Sequence, residues 1–409
     1  MKNERMFPCA RVTRKAEKSL RGGHPWVFGE EITRVDGEYR NGDIVDVLSD
    51  GGKYLGSGFI NDHSKIRVRL LSRNANDRYD EAFFARRVRY ALEYRRTVMA
   101  DDFDNCRLIF GEADGLPGLT VDRFGDVLVA QTLSLGIERR KTEIFRAIVQ
   151  VLSDMGAAVR VLYERNDVAI REKEGMEQGK GYFSLPGLSE TGDGHVTIRE
   201  NGILYDVDYI DGQKTGFFLD QKYNRQAVAR LCRGRYVLDC FTHTGAFALN
   251  AAAGGAAHVT AVDVSAQAIA LARANAERNG LAAHMDFVCA DVFDLLTELS
   301  RRGNSPYDLI ILDPPAFTKS SDTVANATRG YKEINMRAMK LLPRGGYLAT
   351  CSCSHFMTET LFRHMLHDAA ADAGVSLRQV EERRQSPDHP ILWNVGETEY
   401  LKFYIFQVV

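Results

Sequence analysis

Arg235-Tyr-Val-Leu-Asp-Cys240-Phe-Thr-His-Thr-Gly245 is the stretch that decides the fold. It reads as a short apolar strand that ends in an acid. A turn of small and hydroxyl residues follows, and then an Ala-rich helix that stops at Gly254-Gly255. A turn of this kind lets backbone N–H groups at the helix start approach a ligand closely. It is not Gly-x-Gly-x-x-Gly: Gly245 stands alone, with Phe241 opening the turn and Thr242 and Thr244 offering hydroxyls. Outward from it the pattern repeats. His258–Asp263 is a second strand, followed by Ser265 as an N-cap and a helix to Asn279-Gly280. Met285–Cys289 leads to Ala290-Asp291, and Tyr307–Asp313 leads to Pro314-Pro315-Ala316-Phe317. Gly346–Thr350 leads to Cys351-Ser-Cys-Ser-His355. Strand and helix alternate from about residue 200 onward, the rhythm of an α/β, doubly wound parallel sheet.

In such a sheet the carboxyl ends of the strands line one crevice. Asp239, Asp263 and Asp291 close three consecutive strands and outline an adenosine-shaped cleft. Asp263 stands where a ribose-binding acid belongs, and Asp291 can accept from an adenine amino group. Taken singly, each acid also reads as a loop cap. Pro314 and Pro315 fix φ and remove two N–H donors, so they hold Asp313 and the nearby carbonyls rigidly. That frame suits a flat, amide-bearing ring such as a nucleobase, on which Phe317 can stack. Cys353 faces the same cleft. A buried cysteine is ordinarily a small hydrophobe, but the flanking serines argue against a greasy slot. Cys351 reads as inward-pointing strand packing.

The rest of the chain is organised differently. Residues 1–75 read as short strands between Gly/Asp turns, a small β-barrel. Residues 76–195 form a central α+β segment with a basic linker helix over 81–99, whose Phe84, Val88, Leu92 and Met99 share one face. Residues 196–409 hold the wound sheet. The chain carries −2 in total, yet residues 1–99 hold 20 Lys/Arg against 14 Asp/Glu. Ten of those basic residues lie in 65–96, among them Arg86, Arg87 and Arg89. A near-neutral protein with a basic end can dock a polyanion by that end alone; the competing reading is a solvated helix face. Seven cysteines stand at scattered positions with no Cys-x-x-Cys pair, so neither a disulfide frame nor a metal site is expected. No stretch approaches the length of a membrane span, and Met1–Pro8 has no apolar leader run, so a cytoplasmic location is expected.

The constellation resembles class I S-adenosylmethionine-dependent methyltransferases. More closely, it resembles the bacterial 23S rRNA cytosine-5 methyltransferases with an N-terminal PUA domain, the RlmI-like group. The stretches that carry the likeness are Gly111–Asp122, Gln213–Gln221, Asp239–Gly245, Asp313-Pro-Pro-Ala-Phe317, Arg329–Asn335 and Ser352-Cys-Ser354. Position and the Pro25-Trp-Val-Phe28 stretch add the PUA reading of 1–75. The resemblance implies S-adenosylmethionine as cofactor, RNA as partner, and Phe217, Phe218 and Gln221 on the cofactor or substrate side of the cleft. It further implies Cys353 as a nucleophile that adds to cytosine C6 so that C5 can attack a methyl sulfonium, with Asp313 on the N3/N4 edge. The target base would have to leave its stack. Some cytosine-5 enzymes place a second cysteine after the Asp-Pro, where this chain has Ala316.

Two other readings stay open at this point. A base N-methyltransferase, such as a guanine enzyme, uses Asp-Pro-Pro without a thiol. A non-catalytic RNA-binding or assembly factor needs only the basic N-terminal third. A nicotinamide dehydrogenase shares Asp263 but lacks the glycine fingerprint here. The strands of 1–75 also offer edges that could pair with a second copy.

Overall fold

The computed structural model describes residues 7–409 other than Asn304 and Lys319. The start of the chain, where no leader run was read, therefore lies outside the described residues up to Met6. The chain divides into two compact units. The first comprises the chain through Ile198 together with Val207–Leu219 and Pro387–Thr398. The second comprises Arg199–Asp206, Asp220–Ser386 and Glu399–Val409. The expected boundaries at 75 and 195 are contiguous cuts. They differ from this division because local pattern does not reveal which distant segment a loop packs on.

In the first unit, β1 (Cys9–Val12), β2 (Trp26–Phe28), β3 (Ile32–Asp36), β4 (Ile44–Ser49), β5 (Tyr54–Ile60) and β6 (Ile66–Ser72) form one sheet in the order β2-β6-β5-β4-β1-β3. All neighbours are antiparallel except β1 and β4. The sheet closes over Val12, Val27, Val45, Val47, Ile60 and Val68, with α1 (Arg14–Arg21) packed through Ala16 and Leu20. The linker helix α2 (Glu81–Val98) forms as the periodicity requires: Asp80 caps it by accepting from the Phe83 N–H, and Phe84, Val88 and Leu92 are buried. A five-stranded sheet follows, made of β7 (Asn105–Phe110), β8 (Leu119–Phe124), β9 (Val127–Thr132), β10 (Val161–Asn166) and β11 (Gly179–Tyr182), with α3 (Leu135–Glu138) and α4 (Lys141–Asp154) between β9 and β10. Strand β11 lies in a stretch that reads as loop. Its Gly-Lys-Gly-Tyr sequence has no strand signal, and it is extended because it pairs antiparallel with β10. A hairpin of β12 (His195–Glu200) and β13 (Ile203–Asp208) comes next.

The second unit is the wound sheet. After α5 (Lys222–Ala229) come β14 (Tyr236–Cys240), α6 (Ala246–Ala253), β15 (His258–Asp263), α7 (Ala266–Arg278), β16 (Met285–Cys289), α8 (Val292–Arg302), β17 (Leu309–Leu312), α9 (Val324–Leu341), β18 (Tyr347–Ser352), α10 (Glu359–Ala373), β19 (Leu377–Arg383) and β20 (Lys402–Val408). The strand order is β16-β15-β14-β17-β18-β20-β19. The first five are mutually parallel, and β20 runs antiparallel between β18 and β19. Helices on both faces explain why β17 reads Leu-Ile-Ile-Leu with no alternation: every residue is buried. Connections leave β14 toward β15 on one side, while β17 lies on the other. The crevice of a doubly wound fold therefore opens at the carboxyl ends of β14 and β17. None of the described helices is long and apolar enough to cross a membrane.

Candidate active site

The turn after β14 is shaped by backbone conformation before any ligand is considered. Phe241 and His243 hold left-handed φ of 64° and 49°, and Gly245 holds 81°. A Cβ on Gly245 would lie 2.6 Å from Leu249 Cδ1 and 3.0 Å from Ala272 Cβ. Only glycine lets α6 start this close to α7. Asp239 ties the turn down from beneath. Its Oδ2 accepts from Thr242 Oγ1 at 2.6 Å and from the Ala248 N–H at 2.9 Å. The residue is fully buried, and burial pushes its carboxyl up to about 7 against the pull of those two bonds. Its Oδ1 has no hydrogen-bond partner among the described residues. Thr242 thus donates its hydroxyl to Asp239, and Thr244, the other expected hydroxyl residue of the turn, is buried.

Asp263 is held ready at the tip of β15. One carboxylate oxygen accepts from the His243 N–H at 3.0 Å, the other from the Ser265 N–H at 2.9 Å. Each oxygen keeps lone-pair capacity, and the residue is partly exposed. That is a pre-oriented acceptor for vicinal hydroxyls. Asp291 is exposed and caps α8, its Oδ1 accepting from the Phe293 and Asp294 N–H groups at 2.8 and 3.2 Å. The cap reading weighed for the three acids applies to it directly. An orphaned buried carboxylate oxygen, a glycine cradle and an oriented acid together fit an adenosyl ligand lying over the β14 turn.

At the tips of β17 and β18 a thiol meets a carboxylate. Cys351 Sγ donates to Asp313 Oδ1 at 2.9 Å. Gln221 Nε2 donates to the same oxygen at 3.2 Å and to Cys351 Sγ at 3.4 Å. Gln221 is itself oriented: Asn224 Nδ2 donates to its Oε1 at 2.7 Å, and Arg383 Nε donates to Asn224 Oδ1 at 3.0 Å. Burial raises the Asp313 carboxyl above its ordinary value, and burial next to that carboxylate holds the Cys351 thiol well above the usual cysteine range. Cys351 is therefore more than strand packing. It is a protonated donor to the very acid the sequence reading placed in the cleft, and nothing local in the sequence signals it.

Cys353, two residues on, is partly exposed. Its neighbours fix the loop around it. Ser352 Oγ donates to Tyr331 OH at 3.0 Å, and Ser354 Oγ donates to the Thr318 carbonyl at 2.9 Å, which staples this loop to the one after Pro314-Pro315. Lys402, at the start of β20 and opposite Ser352 in register, reaches over the loop. Its ammonium donates to the carbonyls of Ser354 at 2.6 Å and Tyr400 at 2.8 Å. It is 4% exposed, and burial lowers it to about 8. Phe317 packs inward against Tyr331, Phe293 and Phe241, with centroids 4.6, 5.9 and 6.4 Å apart. It is half-buried in that aromatic cluster. Pro314 is buried and Pro315 exposed.

The remaining expected residues belong to the first unit. Phe217 is buried there, and Phe218 lies under the Lys214 ammonium. The arginines of 65–96 are largely engaged within the unit. Arg69 pairs with Glu112 and Glu174, Arg86 with Asp77, and Arg89 with Asp154. Arg87 donates to the Leu71 carbonyl beneath partial burial, and Arg95 is wholly buried against Asp114. The basic excess expected over 65–96 is thus partly paired, by Asp77 within the stretch and by Glu112, Asp114, Asp154 and Glu174 further along the chain. Lys65, Arg78 and Arg96 remain exposed. The same pairs explain the Gly111–Asp122 stretch: Glu112 also accepts from Trp26 Nε1 at 2.9 Å, and Asp122 takes Arg107 bidentately at 2.7 and 2.8 Å.

Comparison with known proteins fits this architecture. Residues 186–407 match the model of the S-adenosylmethionine-dependent methyltransferase family, and residues 10–73 match that of a PUA-like domain. The chain is 40% identical over 406 residues to ribosomal RNA large subunit methyltransferase I of Klebsiella pneumoniae, covering 99% of both chains. It is 43% identical over 394 residues to the protein of that name from Pseudoalteromonas translucida, covering 96% of this chain and 97% of the other. Among solved structures, a Streptococcus mutans chain described as a SAM-dependent methyltransferase superposes with a TM-score of 0.81 at 24% identity, over 98% of this chain and 100% of that one. A methyltransferase complexed with SAH gives 0.82 over the same shares, again at 24% identity. At that identity the two structures speak for the fold.

Proposed function

The chain belongs to the S-adenosylmethionine-dependent methyltransferase family, among the ribosomal RNA large subunit methyltransferase I proteins, and from that premise we propose that it methylates C5 of a cytosine in large-subunit ribosomal RNA. The observation that carries the cytosine reading is the contrast between two neighbouring thiols. Cys351 is buried and held protonated on Asp313, whereas Cys353 is partly exposed at the same strand end. A thiol locked as a donor cannot act as a nucleophile; one beside it at the crevice can.

The cofactor supplies an electrophilic methyl group when bound, and Asp263, Gly245 and the β14 turn would hold its adenosyl part. Cys353, as thiolate, forms a bond from Sγ to cytosine C6 and pushes the C5–C6 π pair onto C5. C5 then takes the methyl group. With Ala316 where a second cysteine would stand, water takes the C5 proton; the C–H pair becomes the C5–C6 π bond and the S–C6 bond breaks, which releases the enzyme thiolate. Asp313 lies at the neighbouring strand tip, where its carboxyl group can pair with the N3/N4 edge and take up the charge that builds there. Gln221 and Cys351 fix that carboxyl group in place. The PUA-like domain and the exposed Lys65, Arg78 and Arg96 supply RNA contacts.

The test is Cys353→Ser with ribosomal RNA as substrate and mass spectrometry of the nucleosides. Loss of 5-methylcytidine with SAH binding unchanged is the expected result. A serine variant that still transfers methyl groups, or a product that is a methylguanosine, would transfer the assignment to a base N-methyltransferase that uses Asp313-Pro-Pro without a thiol.

A further inference from the structure

We propose that Lys402 is a positioning residue that favours the thiolate form of Cys353. The inference rests on the nucleophile reading above for its purpose, but on the second unit's own geometry for its content. Lys402 is a lysine with almost no access to water, which proteins rarely allow without a use for the charge. Its side chain does not form an ion pair among the described residues. Two of its three donors go to main-chain carbonyls, those of Ser354 and Tyr400. A carbonyl dipole holds an ammonium in place without cancelling its charge, so the field of Lys402 is still available to a neighbour.

That neighbour is the Ser352-Cys353-Ser354 loop. Lys402 stands opposite Ser352 in the β18–β20 register and grips the carbonyl one residue past Cys353. Cys353 is coupled to Tyr331 on α9, to Cys351 on β18 and to Lys402 on β20. The Tyr331 hydroxyl is driven upward by burial, and Cys351 is held protonated, so neither contributes a positive charge. Lys402 in turn faces the two thiols, Glu399 and Arg384. Glu399 and Arg384 pair with each other. Among Tyr331, Cys351 and Lys402 the cation is Lys402. Burial lowers the proton affinity of Lys402, and its coupling to the Cys353 thiol acts the other way: an ammonium beside a thiolate is favoured over either charge alone. Ordinary cysteines ionise near 8.5 and need such a neighbour to react at neutral pH.

The experiment reads ionisation without RNA. The full chain is alkylated with iodoacetamide across pH 5.5–10, and modification of Cys353 is quantified by tandem mass spectrometry, which separates it from Cys351. In the unsubstituted protein the inflection for Cys353 is expected below about 8.5. Lys402→Met is expected to raise it by a unit or more, a fall of about tenfold in alkylation rate near pH 7. Lys402→Arg, which keeps the charge, is expected to retain at least half of the depression. SAH binding by calorimetry checks that each variant keeps its cleft. An inflection at or above the ordinary value in the unsubstituted protein overturns the proposal even if Lys402→Met does not fold. So does a Lys402→Met curve that overlays the original, or an arginine variant displaced as far as the methionine one. Continued methyl transfer by Cys353→Ser would remove the nucleophile reading, yet leave the Lys402 dependence of the thiol standing, so the two failures are distinguishable.

Discussion

Asp239→Asn is the substitution whose consequence can be worked furthest. The native carboxyl titrates at about 7 and the free one at 3.8, so burial disfavours the charged form in the folded protein. At about 1.4 kcal/mol per unit, the difference corresponds to about 4 kcal/mol. A raised native value means that the folded state binds the proton more tightly than the unfolded one. The associated stability is present in full below about 4, falls as pH rises, and is gone above about 7. Asparagine keeps an oxygen for Thr242 Oγ1 and the Ala248 N–H, but it does not titrate. Its amide group faces the place where Oδ1 has no partner, which adds a cost that does not vary with pH. The sign of the effect at any one pH is therefore not the test; the trend is. Urea unfolding of both proteins at intervals from pH 4 to 8 should show the variant gaining on the original by about 4 kcal/mol, with the gain complete near neutrality. A difference between the two that stays level within about 1 kcal/mol across that range would refute the argument that Asp239 is held against its charge.

Asp263→Ala should weaken SAH binding by about 1–3 kcal/mol, read by calorimetry, because a pre-oriented acceptor is lost; equal affinity would return Asp263 to a turn-capping role. Gly245→Ala should lower the melting temperature and weaken the cofactor site together, since a Cβ at 2.6 Å from Leu249 Cδ1 and a φ of 81° cost about 1–3 kcal/mol in combination; unchanged melting would show that the α6–α7 approach yields easily. Cys351→Ala removes the thiol donor from Asp313 and should lower kcat while SAH affinity holds, and a retained kcat would mean that Gln221 alone fixes the carboxylate. Replacing Lys65, Arg78 and Arg96 together with Gln should weaken RNA binding and flatten its salt dependence by about two to three counterions. An unchanged slope would place the RNA contact elsewhere.

The five parallel strands were legible because each is a short apolar run punctuated by an acid, a proline pair or a glycine, and because their order along the chain is the order in which helices intervene. The positions of Asp263 and Asp313 at strand tips were legible for the same reason, since each acid directly ends an apolar run. What escaped the sequence was set by distant pairing. Strand β19 reads Leu-Arg-Gln-Val-Glu-Glu-Arg, mostly polar, and is a strand because β20 hydrogen-bonds to it. Lys402 opens β20 as an unremarkable lysine beside aromatic residues, and only antiparallel registry puts it over the Cys353 loop. Cys351 looked like packing because nothing in Thr-Cys-Ser tells which thiol meets a carboxylate 38 positions away. The arginine helix misled in the opposite direction. Its charge was real, but Asp154 and Asp114 take up Arg89 and Arg95 through contacts that no local window contains, and Asp77 takes Arg86.

The insertion of β20 between β18 and β19 has a bearing on how the protein comes to exist. While the chain is being synthesised, β18 can dock on β17, yet its other edge stays bare until residues 402–408 have emerged and threaded into the gap. For that interval the ribosome carries a nearly finished sheet with an open margin, the kind of surface on which nascent chains stick to one another. A polypeptide halted before residue 402 would also lack the lysine that grips the thiol loop. Stalled or truncated products would keep that margin bare, and with it the tendency to pair with one another.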